Sequence, residues 1–139
     1  MLPTRLRRFL RRAFGIFLGL LPLGLLLSSI AFGGAVGTTR WLAAAGVMVP
    51  GLYIALYNCF LTFLLPRRWL RQHGTMEGMP HTSVVPLVGT ILVAASALVG
   101  FGSVAIALAG IAVLVLDTGG APWFLVAVWR DESFWDASN

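Results

Sequence analysis

The chain has 139 residues, of which 58% are hydrophobic and only 11% are charged, whereas a typical soluble domain carries roughly 25% charged residues. A water-soluble chain of this length needs polar side chains on its exposed faces, and the long apolar stretches here do not provide them. The composition excludes an ordinary soluble domain and predicts that a lipid bilayer surrounds most of the chain.

The net charge of +5 comes from arginine, which supplies all ten basic residues. Nine of the ten lie in three short clusters beside apolar runs, whereas nucleic-acid binding requires a basic stripe with exposed aromatics on a folded surface. We therefore predict no nucleic-acid partner and interpret the arginines as topology anchors. These anchors are Arg5, Arg7, Arg8, Arg11, Arg12, Arg67, Arg68, Arg71 and Arg130.

The first predicted transmembrane helix covers residues 13–36, which carry no charge and follow a basic head suited to anionic headgroups. A bilayer core of ~30 Å needs ~20 helical residues, so this run predicts one crossing. The alternative is a cleaved secretory signal, whose apolar region is only about 7–15 residues long. Because the run is longer, we predict an uncleaved helix.

The second and third predicted spans flank the one long polar loop. The second covers residues 41–65, with Trp41 as an interfacial anchor and Pro66 as its end. The loop follows from residue 67 to 82, and the third span covers 83–99. Ser83 is the predicted N-cap of that span, and Pro86 is tolerated in its first turn.

The fourth predicted span covers residues 103–121, after a tight reversal at 100–102. The run from Thr118 to Pro122 should break this helix. Residues 122–130 are then predicted to lie along the interface, although a longer kinked fourth span is the alternative. The predicted fold class is an all-α membrane protein, a single domain with four transmembrane helices and a C-terminal interfacial helix.

The arginine clusters also predict the orientation. Cytoplasmic loops are rich in Lys and Arg, and an even number of spans places all three clusters on one side, with only Arg40 on the other. We therefore expect a bacterial inner-membrane protein whose two termini are both cytoplasmic.

Asp117, Asn58 and Tyr57 are the candidate functional residues. Asp117 is the only acidic residue within a predicted span. Its predicted position near the interface makes its cost smaller than the ~2.5–3.5 kcal/mol of a central aspartate. Proton coupling or partner binding is one interpretation, and capping, hydration or pairing with an arginine is the other. For Asn58, Tyr57 and Tyr53, interhelical hydrogen bonding is favoured over ligand recognition.

Motifs for metal binding and catalysis are weak or missing. His73, Glu77 and His81 recur every four residues, but Gly74 and Gly78 disfavour the helix that would align them as ligands. Cys59 is the single cysteine, which excludes an intrachain disulfide. The chain also lacks an HExxH motif, paired carboxylates and a phosphate-binding glycine loop. We predict no enzyme activity, no metal and no cofactor.

Small residues recur at four-residue spacing, which lets helix backbones approach closely, either within the bundle or against a partner. The pairs are Gly15 with Gly19, Thr90 with Ala94, Ser96 with Gly100, and Ala105 with Ala109.

The C-terminal half carries a S-x-x-P-L-x-G pattern from Ser83 to Gly89 and, some thirty residues on, a L-D-x-G pattern from Leu116 to Gly119 followed by Pro122. It thereby resembles small uncharacterised bacterial multi-span membrane proteins. Some proteins of this kind look like membrane immunity proteins paired with secreted antibacterial toxins, and the resemblance implies a protein partner rather than a substrate.

The leading hypothesis is a non-enzymatic inner-membrane protein that binds a protein partner in or beside the bilayer, as an immunity protein or an accessory subunit. The alternative is a small homo-oligomeric transporter or channel. In that alternative Asp117 and the kinks at Pro22 and Pro50 line the path.

Overall fold

The computed structural model describes residues 4–80 and 83–129, and all regular structure within these ranges is helical. This agrees with the predicted all-α class. The elements are α1 (Thr4–Ala31), α2 (Thr38–Cys59), a π-helical segment (Phe60–Leu64), α3 (Leu65–His73), α4 (Val88–Val99), α5 (Val104–Leu116) and α6 (Ala121–Val128).

The first helix, α1, joins the basic head and the first apolar run in one continuous element of 28 residues. It ends at Ala31, earlier than the predicted residue 36, because Gly33 and Gly34 follow and glycine disfavours helix. Pro22 lies inside α1 and Pro50 lies inside α2 without ending either helix.

The second long helix does not end at Pro66, so the prediction that this proline closes it was wrong. Helical structure runs from Thr38 to His73, a total of 36 residues. Pro66 has no N–H for the carbonyl one turn earlier, and the π-helical segment Phe60–Leu64 lies directly before it. Such a segment lets a helix absorb a local irregularity and continue. The helix stops at Gly74, whose φ of 71° is left-handed.

The third predicted span begins later than expected. α4 starts at Val88 and not at Ser83, so Ser83 is not its N-cap, and residues 83–87 have no regular structure. Pro86 explains the difference, because the residue before a proline is biased away from the α conformation. Leu87 then enters α4 with a φ of 61°.

The fourth predicted span is divided into two helices. Ser103 caps α5, and its hydroxyl accepts a hydrogen bond from the Ile106 N–H at 3.4 Å. α5 ends at Leu116, and α6 follows a four-residue break at an angle of 40°. The break begins at Asp117, one residue before the predicted position. The last predicted anchor, Arg130, lies outside the described residues.

Two of these helices are long and apolar enough to cross a membrane, Phe9–Ala31 within α1 and Thr38–His73, and the bent pair of α5 and α6 gives a third if it counts as one span. α4 has only 12 residues, which cover about 18 Å. The chain is therefore compatible with a membrane protein of two or three helical spans, and the four-span topology stays a prediction.

The helices pack around α2, which contacts α4 and α5, while α1 contacts α4, α5 and α6. Small and medium apolar side chains form the core, among them Leu26, Ala55, Val93 and Val113. One end of the bundle holds the turn at residues 100–102, where Arg40 donates to the Val99 carbonyl at 3.1 Å. The other end holds residues 83–87 and the break between α5 and α6.

Candidate functional site

Asp117 follows the last residue of α5 and is fully buried. Its own N–H still donates to the Val113 carbonyl, so its backbone completes the last turn of the helix while its side chain turns into the bundle. A carboxylate at this position needs polar partners, because an uncompensated charge in an apolar environment is costly.

Asn58 is the main partner of Asp117. It lies near the end of α2 and is also fully buried, and its Nδ2 donates to Asp117 Oδ1 at 2.6 Å. The same carboxamide binds the backbone of Val85 twice: Oδ1 accepts from the Val85 N–H at 2.8 Å, and Nδ2 donates to the Val85 carbonyl at 3.0 Å. One side chain therefore connects α2, the irregular segment before α4 and the end of α5.

Further hydrogen bonds hold the two irregular segments against each other. The Leu87 N–H donates to the Gly119 carbonyl at 3.0 Å. The hydroxyl of Thr90, on α4, accepts from the N–H of Ala121, the first residue of α6, at 3.0 Å. We call the group Asn58, Val85, Thr90, Asp117 and Gly119 the polar junction.

Glycines allow the close approaches at the junction. A Cβ on Gly89 would overlap Oδ2 of Asp117, and a Cβ on Gly120 would lie 2.8 Å from the same oxygen. A Cβ on Gly119 would lie 2.7 Å from Asn58 Nδ2. Oδ2 of Asp117 is buried and has no hydrogen-bond partner within the part of the chain that the structure describes. It packs instead against the backbone of Gly89 and Gly120.

This arrangement satisfies backbone groups that the helices leave unpaired. Non-helical backbone at membrane depth is tolerated where it is buried in protein and its polar groups find partners, and the junction provides such partners for Val85, Leu87 and Ala121. The polar side chains of the junction are the carboxylate of Asp117, the carboxamide of Asn58 and the hydroxyl of Thr90. Among residues 4–80 and 83–129, no group of three His, Cys, Asp or Glu side chains is placed to hold a metal ion.

Two of the three candidate residues from the sequence meet here and one does not. Asp117 and Asn58 are hydrogen-bonded, whereas the side chain of Tyr57 is 45% exposed on the outer surface of α2. Tyr53 is also exposed. A functional role for any of these residues stays a prediction.

His73 and Glu77 do not share a helical face. His73 is the last residue of α3 and its ring stacks on Trp69, with 3.9 Å between ring centroids. Glu77 lies in a turn beyond the left-handed Gly74. His81 falls outside the described residues.

The described arginines other than Arg40 belong to helix segments at the junction end of the bundle. Arg67, Arg68 and Arg71 are exposed on α3, which follows Asn58 by about two turns. Arg11 lines the same surface groove as Leu87 and Phe124. Arg5, Arg7 and Arg8 belong to the first turns of α1. Arg40 is at the opposite end, where it binds Val99.

Sequence reasoning did not identify Val85, Thr90 and the glycines as members of the junction. Val85 contributes only backbone atoms, which leave no signal in the sequence. The glycines did predict a helix break, but a glycine gives no indication of which side chain approaches it. A second threonine contact was also missed: Thr62 and Thr118 share a hydrogen bond of 2.7 Å between their hydroxyls.

The small-residue pairs divide between the interior and the surface. Gly19, Thr90, Ser96 and Gly100 are buried, so three of the four pairs contribute to packing inside the bundle. Ala105 and Ala109 are exposed on α5, and Ala112 continues the same exposed face.

Comparison of the chain with protein families, curated proteins and solved structures finds no match.

Proposed function

We propose that this chain is a non-enzymatic membrane protein that binds another protein inside the bilayer through the outward face of α5. We call Ala105, Ala109 and Ala112 the alanine face. The partner presents an apolar helix to it, and the chain acts as an immunity protein or as an accessory subunit of a membrane complex.

The exposure of the alanine face carries this proposal. Helices in lipid associate through close packing, because lipid tails are as apolar as leucine and provide no hydrophobic driving force. Small side chains at four-residue spacing are the surface that permits such packing, and the other three pairs contribute to helix contacts within the bundle. Leu108 and Val115 border the alanine face and are 56% and 63% exposed.

The proposed topology has four crossings with the junction end in the cytoplasm of a bacterial cell. α4 covers about 18 Å, and the five residues 83–87 add at most about 17 Å, which sets an upper limit of about 35 Å against a core of ~30 Å. The described arginines, apart from Arg40, belong to segments at the junction end, which supports the cytoplasmic side for that end.

The transporter or channel is the second candidate function, in a homo-oligomer that uses Asp117. The two irregular segments that face each other at the junction favour it, since transporters build sites from discontinuous helices. The complete burial of Asp117 against Gly89 and Gly120 favours partner binding instead. A carboxylate enclosed in this way supports the packing of the bundle.

Site-specific photo-crosslinking in the native membrane tests the proposal. A photoreactive residue at Ala112 should give one covalent adduct with another protein, and the same residue at Val49, which is 65% exposed on α2, should not. Ala109→Phe should reduce the Ala112 adduct by at least tenfold, because the larger side chain keeps the partner helix away. Ala43→Phe, on the exposed surface of α2, is the matched control.

Three results would contradict partner binding at α5: adducts with lipid only, equal protein adducts at Ala112 and Val49, or an adduct that Ala109→Phe does not reduce. An adduct whose mass is that of two copies of this chain would favour the homo-oligomeric alternative.

A further inference from the structure

The irregular residues 83–87, which we call the strap, cover the polar junction. The outer side of the strap is exposed at Pro86. Its inner side is bonded to the fully buried Asn58, which accepts from the Val85 N–H at 2.8 Å and donates to the Val85 carbonyl at 3.0 Å. The strap therefore lies between the surface of the bundle and the side chain that binds Asp117.

The strap joins α4 through a strained residue, Leu87. Its φ of 61° is left-handed, and within the described residues every other positive φ belongs to a glycine. The Val88 N–H donates to the Pro86 carbonyl at 2.8 Å, which closes a three-residue turn centred on Leu87. A left-handed backbone brings Cβ too close to the following carbonyl oxygen, and a three-residue turn with a positive central φ is rare and strained. Leu87 is thus held in a conformation that leucine disfavours.

The local sequence favours a different start for α4. Proline is over-represented at the first position of a helix, the residue before a proline prefers an extended conformation, and leucine is a good helix former. In such a start Pro86 is the first helical residue, Val85 is the N-cap, and Leu87 is right-handed. The helix gains two residues, about 3 Å in length.

Three hydrogen bonds from other elements hold the strap against this local preference. Two are the bonds between Asn58 and the backbone of Val85. The third is donated by the Leu87 N–H to the Gly119 carbonyl at 3.0 Å. Strained φ values persist only where the surrounding structure over-determines them, and they are typical of active sites, ligand clamps and switch regions. A change of φ at Leu87 to the right-handed value turns the strap relative to α4, which separates Val85 from Asn58.

We propose that the strap is a hinged cover with two states: closed, with Leu87 left-handed, and open, with Leu87 right-handed and α4 beginning at Pro86. Opening breaks the three hydrogen bonds and uncovers the side chains of Asn58 and Asp117. Three hydrogen bonds outweigh the strain at one residue, so the open state is the minor one. This hinge does not depend on the alanine face of α5.

Saturation-transfer NMR of the full chain in nanodiscs tests the hinge without any variant. Opening of a lid or a local segment takes place on a μs–s timescale, and this method detects minor states in the slower part of that range. The wild-type chain should show a minor state at the Leu87 Cα with the chemical shift of a right-handed helical leucine. Its population should be about 1–10%.

Two substitutions at the hinge separate backbone strain from loss of the leucine side chain. Leu87→Gly removes the Cβ clash from the closed state, so the open population, followed at Val85, should fall roughly 5–30-fold. Leu87→Ala loses most of the side chain but keeps Cβ, so the open population should stay within about threefold of the wild-type value. Leu98→Gly, at an exposed position inside α4, is the matched control and should leave the population unchanged.

Amide hydrogen exchange gives a second measure of opening. The Val85 N–H is bound to Asn58 in the closed state and is released in the open state. In Leu87→Gly its exchange should therefore slow by the same factor as the open population falls. The Gly102 N–H, which is bound to Ser29 at the other end of the bundle, should exchange at the wild-type rate.

The proposal is overturned if the wild-type chain shows no minor state with a helical shift at Leu87, or if Leu87→Gly and Leu87→Ala have equal open populations. It is also overturned if Leu98→Gly lowers the open population as much as Leu87→Gly does, or if the exchange of the Val85 N–H does not follow the open population.

Discussion

The two ends of the bundle stabilise their irregular backbone by different means. At the turn end, residues 100–102 connect α4 to α5, and hydroxyls supply the extra hydrogen bonds: Ser29 accepts from the Gly102 N–H at 2.9 Å, and Ser96 donates to the Ala44 carbonyl at 2.7 Å. At the junction end, the hydrogen bonds come from a carboxamide and a carboxylate: Asn58 binds Asp117 and the backbone of Val85.

At the turn end, the link at residues 32–37 meets the turn at 100–102, and the two segments pair backbone to backbone: the Gly34 N–H donates to the Gly102 carbonyl at 3.0 Å. One further group of this turn, the Gly102 N–H, is satisfied by a single hydroxyl, that of Ser29. Two irregular segments meet at the junction, and Val85 needs both a donor and an acceptor. An amide side chain carries its donor and its acceptor on two separate atoms, so it can pair with the N–H and the carbonyl of the same residue at once. The comparison predicts that stability depends far more on the junction than on the turn.

Asn58→Leu should give the largest loss of stability. It removes three hydrogen bonds, to Asp117 Oδ1 and to the N–H and carbonyl of Val85, and each buried polar group left unsatisfied costs about 1–3 kcal/mol. We expect a loss of about 3 kcal/mol in the free energy of unfolding, measured by steric trapping in bicelles.

Tyr57→Leu is the matched control for this change, because Tyr57 is adjacent in sequence and exposed. It should change the free energy of unfolding by less than about 0.5 kcal/mol. A loss below about 1 kcal/mol for Asn58→Leu would mean that the junction is not the more important end.

Gly89→Ala should have the next largest effect. The new methyl group would overlap Oδ2 of Asp117, and overpacking of this kind typically costs about 1–3 kcal/mol. We expect a loss of about 2 kcal/mol in the same assay. The double variant with Asp117→Ala should lose less than the sum of the two single variants, by about 1 kcal/mol or more.

Gly46→Ala is the control for the glycine change, because a Cβ at that exposed helical position meets nothing within 4 Å. It should leave stability unchanged or raise it by up to about 1 kcal/mol through better helix propensity. Additive losses for Gly89→Ala and Asp117→Ala would show that these two residues are not in contact.

Ser96→Ala at the turn end should have the smallest effect. It removes one hydrogen bond between neighbouring helices, and such bonds contribute ~0.6 kcal/mol on average in membrane proteins. The Ala44 carbonyl keeps its position within α2. A measured loss above about 2 kcal/mol, close to that of Asn58→Leu, would remove the distinction between the two ends.

Much of the fold is predictable from hydrophobic pattern and charge. The apolar runs located α1, α2 and α5, and Ser103 was placed at the start of α5. The effect of Pro66 was predicted wrongly because the helix accommodates this proline through the π-helical segment Phe60–Leu64. The residues next to Pro66 in the sequence do not indicate that segment. Val85 before Pro86 was the local signal that residues 83–87 are not helical.

The candidate site was predictable only in part. Asp117 and Asn58 were conspicuous because polar side chains are rare in apolar runs, but their contact joins residues 59 positions apart in the sequence. No local pattern encodes such a pairing. Tyr57 lies outside the polar junction because of the rotation of α2 about its axis. The sequence of an almost uniformly apolar helix does not show which side faces the bundle.

The unbroken helical stretch from Thr38 to His73 has a geometric consequence for the membrane surface. Its 36 residues make a rod about 54 Å long, whereas the whole bilayer including headgroups measures about 40–45 Å. A helix that crosses such a bilayer upright would therefore extend about 9–14 Å beyond it. Arg67, Arg68 and Arg71 lie on the last turns of this continuous helix, so helix geometry, and not a loop, sets their positions relative to one another.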